Sequence, residues 1–320
     1  MPSVDLNTTV MAENRAAYHC ATVGGCALLL FALAGCASVP GRGPADSNVI
    51  EARQLTQRGI DAACHGNWGQ AELLFAQASQ SSPSDVPAKE HYARTLWRRG
   101  KREEAIEVMA EAVRLSASDP RLHVELGKLY LAQGDLSRAT WHADVAVGGN
   151  QQLAEAWALR GDVLVKQQDA TAALAAYHRA LGYQEDFSRV QLAVADLYQR
   201  LNRPRRSLAT LDHLAQRFPD DQVPPHVHYR QGVALLSLQR FEDAADHLAA
   251  AAEHEVGSAD VFYQLGRAEL LAGRPASARW AVSQALTLAP SHQSARHLLA
   301  EIDDVQRRMA ATAEPPQQWE

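Results

Sequence analysis

From Ala52 to His292, small and large apolar positions return every 34 residues, and this period predicts a row of paired helices. Units begin at Ala52, Val86, Pro120, Ala154, Ser188, Pro225 and Ala259, at intervals of 34, 34, 34, 34, 37 and 34. The one slip is absorbed at Gln222-Val223-Pro224, where a loop insertion costs little. Position 8 of each unit is small: Gly59, Ala93, Gly127, Gly161, Ala195, Gly232 and Gly266. Position 20 is small as well, with Ala71, Ala105, Ala139, Ala173, Ser207, Ala244 and Ala278. These two positions fit a close crossing of two helices, which a larger side chain would force apart. Position 24 is mostly large (Phe75, Met109, Ala143, Tyr177, Leu211, Leu248, Val282) and fills the space between one pair and the next. Gly66, Gly100, Gly134 and Gly273 at position 15 predict the turn inside a pair, in the left-handed conformation that glycine adopts easily. Pro83, Pro219 and Pro290 at position 32 end the second helix.

With Trp157 and Phe262 at position 4 and Tyr130 and Tyr198 at position 11, this register resembles the tetratricopeptide repeat (TPR) family. The resemblance implies an all-α fold, a right-handed α-α superhelical solenoid of seven TPR helix pairs. Their expected bounds are 52–85, 86–119, 120–153, 154–187, 188–221, 225–258 and 259–292. No such unit can bury its apolar face alone, so stacking makes the core continuous. Residues 293–311 continue as an amphipathic helix with Ala295, Leu298, Leu299, Ile302, Val305 and Met309 on one side, expected to cap the last unit. Residues 312–320 have little to pack against and are expected to be a disordered tail.

The family binds peptides or partner helices along the face formed by the first helix of each unit, through positions 2, 5, 9 and 12. Carried onto this sequence, those positions give a partner-binding groove that includes Arg94, Trp97, Lys128, Leu131, Asp162, Asp196, Tyr229, Tyr263 and Arg267. The mixture is apolar and aromatic with scattered charge, the basic groups leaning toward units two and three, and it suits a partly hydrophobic peptide or an amphipathic helix. Trp97, Tyr229 and Tyr263 are candidate anchors, because aromatic side chains dominate binding energy at interfaces. The other reading packs them against neighbouring helices. Position 9 holds Ile60, Arg94, Lys128, Asp162, Asp196, Val233 and Arg267, and so lacks the asparagine with which chaperone adaptors of the family grip a terminal carboxylate.

Composition narrows the chemistry. The chain is 47% hydrophobic but only 6% aromatic, and its net charge of −6 argues against a nucleic-acid surface. No catalytic, metal or cofactor site is expected. His226 and His228 stand two apart, which on a helix aims them in different directions. His123 and His142 fall on different helices of one unit with no further ligand pattern around them. The run from Arg98 to Glu104 reads as a solvated turn, or alternatively as a basic docking patch. Cys64 reads as a small buried side chain on a helix.

The N-terminus carries a separate signal. No Asp, Glu, Lys or Arg occurs from Ala16 to Gly41, and the apolar run from Ala27 to Leu33 leads into Leu33-Ala34-Gly35-Cys36. A run this short ending in small residues predicts a secretion signal over 1–35. The closing four residues resemble the lipobox of bacterial lipoproteins, which implies a lipid on Cys36 and a flexible lipid-anchored tether over 36–51. An uncleaved anchor and ordinary secretion are the alternatives. The acidic residues Asp5 and Glu13 depart from the usual basic leader, and a start at Met11 would restore part of it. Ala37 after the cysteine implies the outer membrane, facing the periplasm, in a Gram-negative cell. The expected function is a non-catalytic scaffold that assists assembly or localisation of an envelope complex such as a pilus or secretion machine. The alternative is an adaptor of cell-wall hydrolases or of exopolysaccharide export.

Overall fold

A computed structural model describes residues 44–219, 222–254 and 258–313. Cys20, Cys26, Cys36, the expected signal over 1–35, the tether up to residue 43 and residues 314–320 lie outside the described residues. Fifteen α-helices and no strand occur among the described residues. They are α1 (Pro44–Cys64), α2 (Trp68–Ser81), α3 (Val86–Arg98), α4 (Arg102–Leu115), α5 (Pro120–Gln133), α6 (Leu136–Gly149), α7 (Ala154–Lys166) and α8 (Ala170–Tyr183). Then follow α9 (Ser188–Arg200), α10 (Pro204–Ala215), α11 (Pro225–Ser237), α12 (Phe241–His254), α13 (Ala259–Leu271), α14 (Pro275–Leu288) and α15 (Gln293–Ala313). The chain divides into two compact units after Asp169, the first holding α1–α7 and the second α8–α15. Each is an all-α array of stacked helix pairs.

Helix starts follow local chemistry. Asp85, Asp119 and Asp135 cap α3, α5 and α6, accepting from the amides of Ala88, Arg121 and Arg138 at 3.1, 2.9 and 2.9 Å. Those amides have no partner inside the helix, so each cap is worth about 1 kcal/mol. Proline opens α5, α10, α11 and α14, where its missing N–H costs nothing.

The small positions are where helices meet. A Cβ added at Gly232 would lie 2.5 Å from Leu248 Cγ, and one at Gly266 would lie 2.5 Å from Val282 Cγ2. In the first unit a Cβ at Gly59 would lie 2.6 Å from Phe75 Cε1. In these three repeats position 8 packs directly on position 24 of its own repeat, which was expected only to fill the space toward the next pair. A Cβ at Gly127 would instead lie 2.6 Å from Leu159 Cδ2 of the following repeat. Ala71, Ala105, Ala139, Ala244 and Ala278 at position 20 are fully buried, as are Phe75, Met109, Leu248 and Val282.

The turn inside each pair holds a result that the sequence pattern missed. Gly66, Gly100, Gly134 and Gly273 have φ of 77°, 83°, 87° and 78°. Gln168, Asn202 and Gln239, at the same position of other repeats, are left-handed too, with φ of 65°, 55° and 59°. The geometry of the turn is thus imposed by the two helices that it joins. A glutamine pays for this conformation in strain, and both glutamines are exposed with little packing to lose. Gln239→Gly is expected to stabilise the second unit by about 1 kcal/mol in urea unfolding. An unchanged or lower midpoint would contradict it.

Several expectations need correction. The tether expected to reach residue 51 is helical from Pro44, because Pro44 suits the first helical position and Val49 and Ile50 extend the half-buried face that leads to buried Ala52. The last helix runs to Ala313, so residues 312 and 313 are helical rather than part of a tail. Ala295, Leu298 and Ile302 pack on Ala278, Val282 and Ala285, whereas Met309 is 54% exposed. Cys64, at the end of α1, is half-buried rather than buried.

Candidate partner-binding groove

In the first unit, the first helices α3, α5 and α7 line a cavity of about 480 Å³. Val86, Pro87, Leu122, Val124 and Leu153 supply its apolar wall, and Glu90, Arg94, Asp119, Arg121, Glu125 and Glu155 its charge. Position 5, 9 and 12 side chains fall on one helix face because they are three and four residues apart.

The charges form a connected chain. Arg94 Nη2 reaches Glu90 Oε1 at 2.7 Å on its own helix and Glu125 Oε2 at 3.3 Å on α5. Lys128 Nζ lies 3.0 Å from the other oxygen of Glu125. Burial would raise the pKa of Glu125, but Lys128 and Arg94 outweigh it and hold the carboxyl below its ordinary range. For Glu90 the balance reverses: burial pushes its carboxyl up, and Arg94 only partly opposes this.

Of the expected groove residues in this unit, Arg94 lines the cavity and Lys128 is joined to it through Glu125. Trp97, Leu131 and Asp162 are half-buried toward the other ends of their helices, and the Arg102 guanidinium stands 5.5 Å from the Trp97 ring. In the second unit, Arg230 grips Asp196 with two of its nitrogens, Nε at 2.9 Å and Nη2 at 3.2 Å. Tyr229 packs beside the buried cluster of Leu235, Leu248 and Leu265. Tyr263 packs beside Val282 and Leu298, its ring 5.1 Å from that of His292. Arg267 donates to Gln264 Oε1 at 2.9 Å. Glu125 and Arg230, each one place beyond position 5 of its repeat, are groups that positions 2, 5, 9 and 12 did not single out; only the facing helix reveals their partners.

Polar side chains occupy buried places where the repeat favours an aromatic. At position 4, Lys89 Nζ reaches Glu111 Oε2 at 2.9 Å and Ser79 Oγ at 3.3 Å. His123 and His142 face each other across α5 and α6 with their Nδ1 atoms 2.9 Å apart, and His228 and His247 repeat the pair across α11 and α12 at 3.1 Å. One nitrogen of each pair must carry the hydrogen and the other accept it. Among the described residues no group of three or more His, Cys, Asp or Glu is placed to hold a metal ion. The basic run is not simply a solvated turn: Arg99 and Lys101 both engage Glu72 of α2, at 3.2 and 2.9 Å, and Arg98 lies 4.1 Å from the Trp68 ring centre. The two cations fasten the α3–α4 turn to the preceding pair. No helix among the described residues is long and apolar enough to cross a membrane.

Comparison with known proteins agrees with this geometry. Tetratricopeptide-repeat family patterns match residues 65–123 and 164–224 in one form and 229–293 in another, more than half of the chain. The chain belongs to the tetratricopeptide repeat family. TPR proteins are generally protein-interaction scaffolds, and their fold is typically non-catalytic. A TPR protein from Parabacteroides merdae has the same fold with a TM-score of 0.56 and 16% identity, over 79% of this chain and 99% of that one. YrrB, a TPR protein with an unusual peptide-binding site, gives 0.52 and 20% over 60% and 97%. PilF of Pseudomonas aeruginosa gives 0.51 and 14% over 80% and 99%. At these identities the likeness is one of fold. The TPR repeat-containing thioredoxin TTL4 of Arabidopsis thaliana is 35% identical over 81 residues, and the match spans 25% of this TPR chain and 12% of the plant protein.

Proposed function

We propose that this TPR protein is a scaffold that holds a peptide or an amphipathic helix of a partner protein in the groove of its first helices, while a lipid on Cys36 keeps it at the cell envelope. The observation that carries the binding half is the cavity on α3, α5 and α7, which combines an apolar wall with polar groups held in place by ion pairs. YrrB, with its peptide-binding site on a related fold, supports that half. The anchoring half rests on Leu33-Ala34-Gly35-Cys36 closing an apolar run. Together they favour help in assembling or localising an envelope complex such as a pilus or secretion machine, at the outer membrane and facing the periplasm in a Gram-negative cell.

Crosslinking in intact envelopes, followed by mass spectrometry, tests the binding half. Val86→Asn combined with Leu153→Asn, both half-buried in the apolar wall, is expected to remove a partner that the unaltered protein captures. An unchanged set of partners would place binding elsewhere. For the anchor, Cys36→Ser is expected to move the protein from the membrane pellet to the soluble fraction, and retention in the pellet would overturn it.

A further inference from the structure

We infer that the cavity on α3, α5 and α7 selects a peptide segment presenting one lysine or arginine side chain between apolar residues, with Glu155 as the carboxylate that receives it. This rests on the peptide-groove reading above and narrows it to one chemistry.

The cavity lining carries more negative than positive charge. It holds four carboxylates, Glu90, Asp119, Glu125 and Glu155, against two guanidinium groups, Arg94 and Arg121. Both cations are engaged: Arg94 bridges Glu90 and Glu125, and Arg121 Nη2 lies 3.4 Å from Asp119 Oδ2. Lys128, just outside, is spent on Glu125 at 3.0 Å. Glu155 remains, half-buried in the first turn of α7, with no ion pair or side-chain hydrogen bond among the described residues. A carboxylate there is tolerated by the helix dipole, yet it still faces an apolar wall of Leu122 and Leu153. Burial also keeps the Glu90 carboxyl raised despite Arg94 at 2.7 Å, so the positive charge present falls short of what this cavity can take. An incoming cation would satisfy Glu155 and, through the chain of ion pairs, favour the ionised form of Glu90. An acidic or phosphorylated segment would meet the uncompensated Glu155, with no free cation beside it among the described residues, and be rejected. A volume of about 480 Å³ is in the range of ligand sites, and its apolar wall accommodates the flanking side chains.

The experiment is selection of a displayed heptapeptide library with neutral flanks on the full chain, followed by anisotropy titration of the enriched peptides with blocked termini. Enriched sequences are expected to carry Lys or Arg between apolar residues. Replacing that residue by Gln is expected to weaken binding about five- to tenfold, the scale of one partly buried ion pair. Glu155→Gln is expected to weaken the basic peptide by the same factor and leave the Gln peptide unchanged, with the circular dichroism of the two proteins superimposable. Enriched peptides without a basic residue would overturn the selectivity while leaving a peptide groove in place. So would equal losses of both peptides on Glu155→Gln. If no peptide is enriched, or if enriched peptides are indifferent to Val124→Asp in the wall, the groove reading falls together with this one.

Discussion

Leu248→Ala is expected to lower the stability of the second unit by about 2–5 kcal/mol, read as a shift of its urea or thermal midpoint. Leu248 is fully buried and stands against the backbone of Gly232, so truncation leaves a cavity that two helices cannot close. The converse change is as informative. Gly232→Ala would gain about 1 kcal/mol of helix propensity, but its methyl would meet Leu248 Cγ at 2.5 Å and the Ala244 carbonyl oxygen at 3.2 Å. Overpacking of that kind costs about 1–3 kcal/mol, so the net effect is a loss. The double variant should lose at least about 1 kcal/mol less than the two single losses added, because the smaller side chain makes room for the methyl. Strict additivity would mean that α11 and α12 do not approach each other as closely as the structure places them.

The second large effect is acid lability of the first unit. His142 is buried beside His123 and Arg138, and burial first, then those positive neighbours, lowers its pKa to about 4. His91, its ring 5.4 Å from Phe75, is lowered to about 4 by burial and then by Arg94. Both groups therefore bind protons more readily in the unfolded chain, whose histidines titrate near 6.5. Their contribution is fully present above pH 6.5 and is lost as pH falls from there toward 4. Within that window each removes about 1.4 kcal/mol per pH unit. Urea midpoints of the chain should fall steeply between pH 6.5 and 4.5. His91→Phe should make the slope shallower by keeping the stack on Phe75 without the titrating ring, while His123, His226 and His247, also lowered by burial, keep part of it. Glu90 works in the opposite sense, since its raised carboxyl favours the folded state once protonated. A midpoint that stays level through this window would show that the buried rings are not held neutral by the fold.

Glu90, Glu125 and Lys89 show why the groove was only half legible. Arg94 and Lys128 were visible from their repeat positions. Their pairing through Glu125 depends on the spacing of α3 and α5, and the burial that shifts Glu90 is a property of the assembled cavity. Buried Lys89 reads as an exception to an apolar position until Glu111, on the partner helix, accounts for it.

The sequence by itself determined the helix pairs, their 34-residue register and the close crossing at positions 8 and 20, because steric demands that recur at every repeat leave a periodic trace. Glycine in four of the turns likewise announced their left-handed backbone. Tertiary structure alone decided that Gln168, Asn202 and Gln239 adopt the same backbone, that α1 begins at Pro44, and that His123 meets His142. It also decided that Glu155 is left without a cation in the groove. The reason is that a period records what every repeat must share. The partner of a single polar side chain stands on another helix, many residues away, and only the packing of that helix names it.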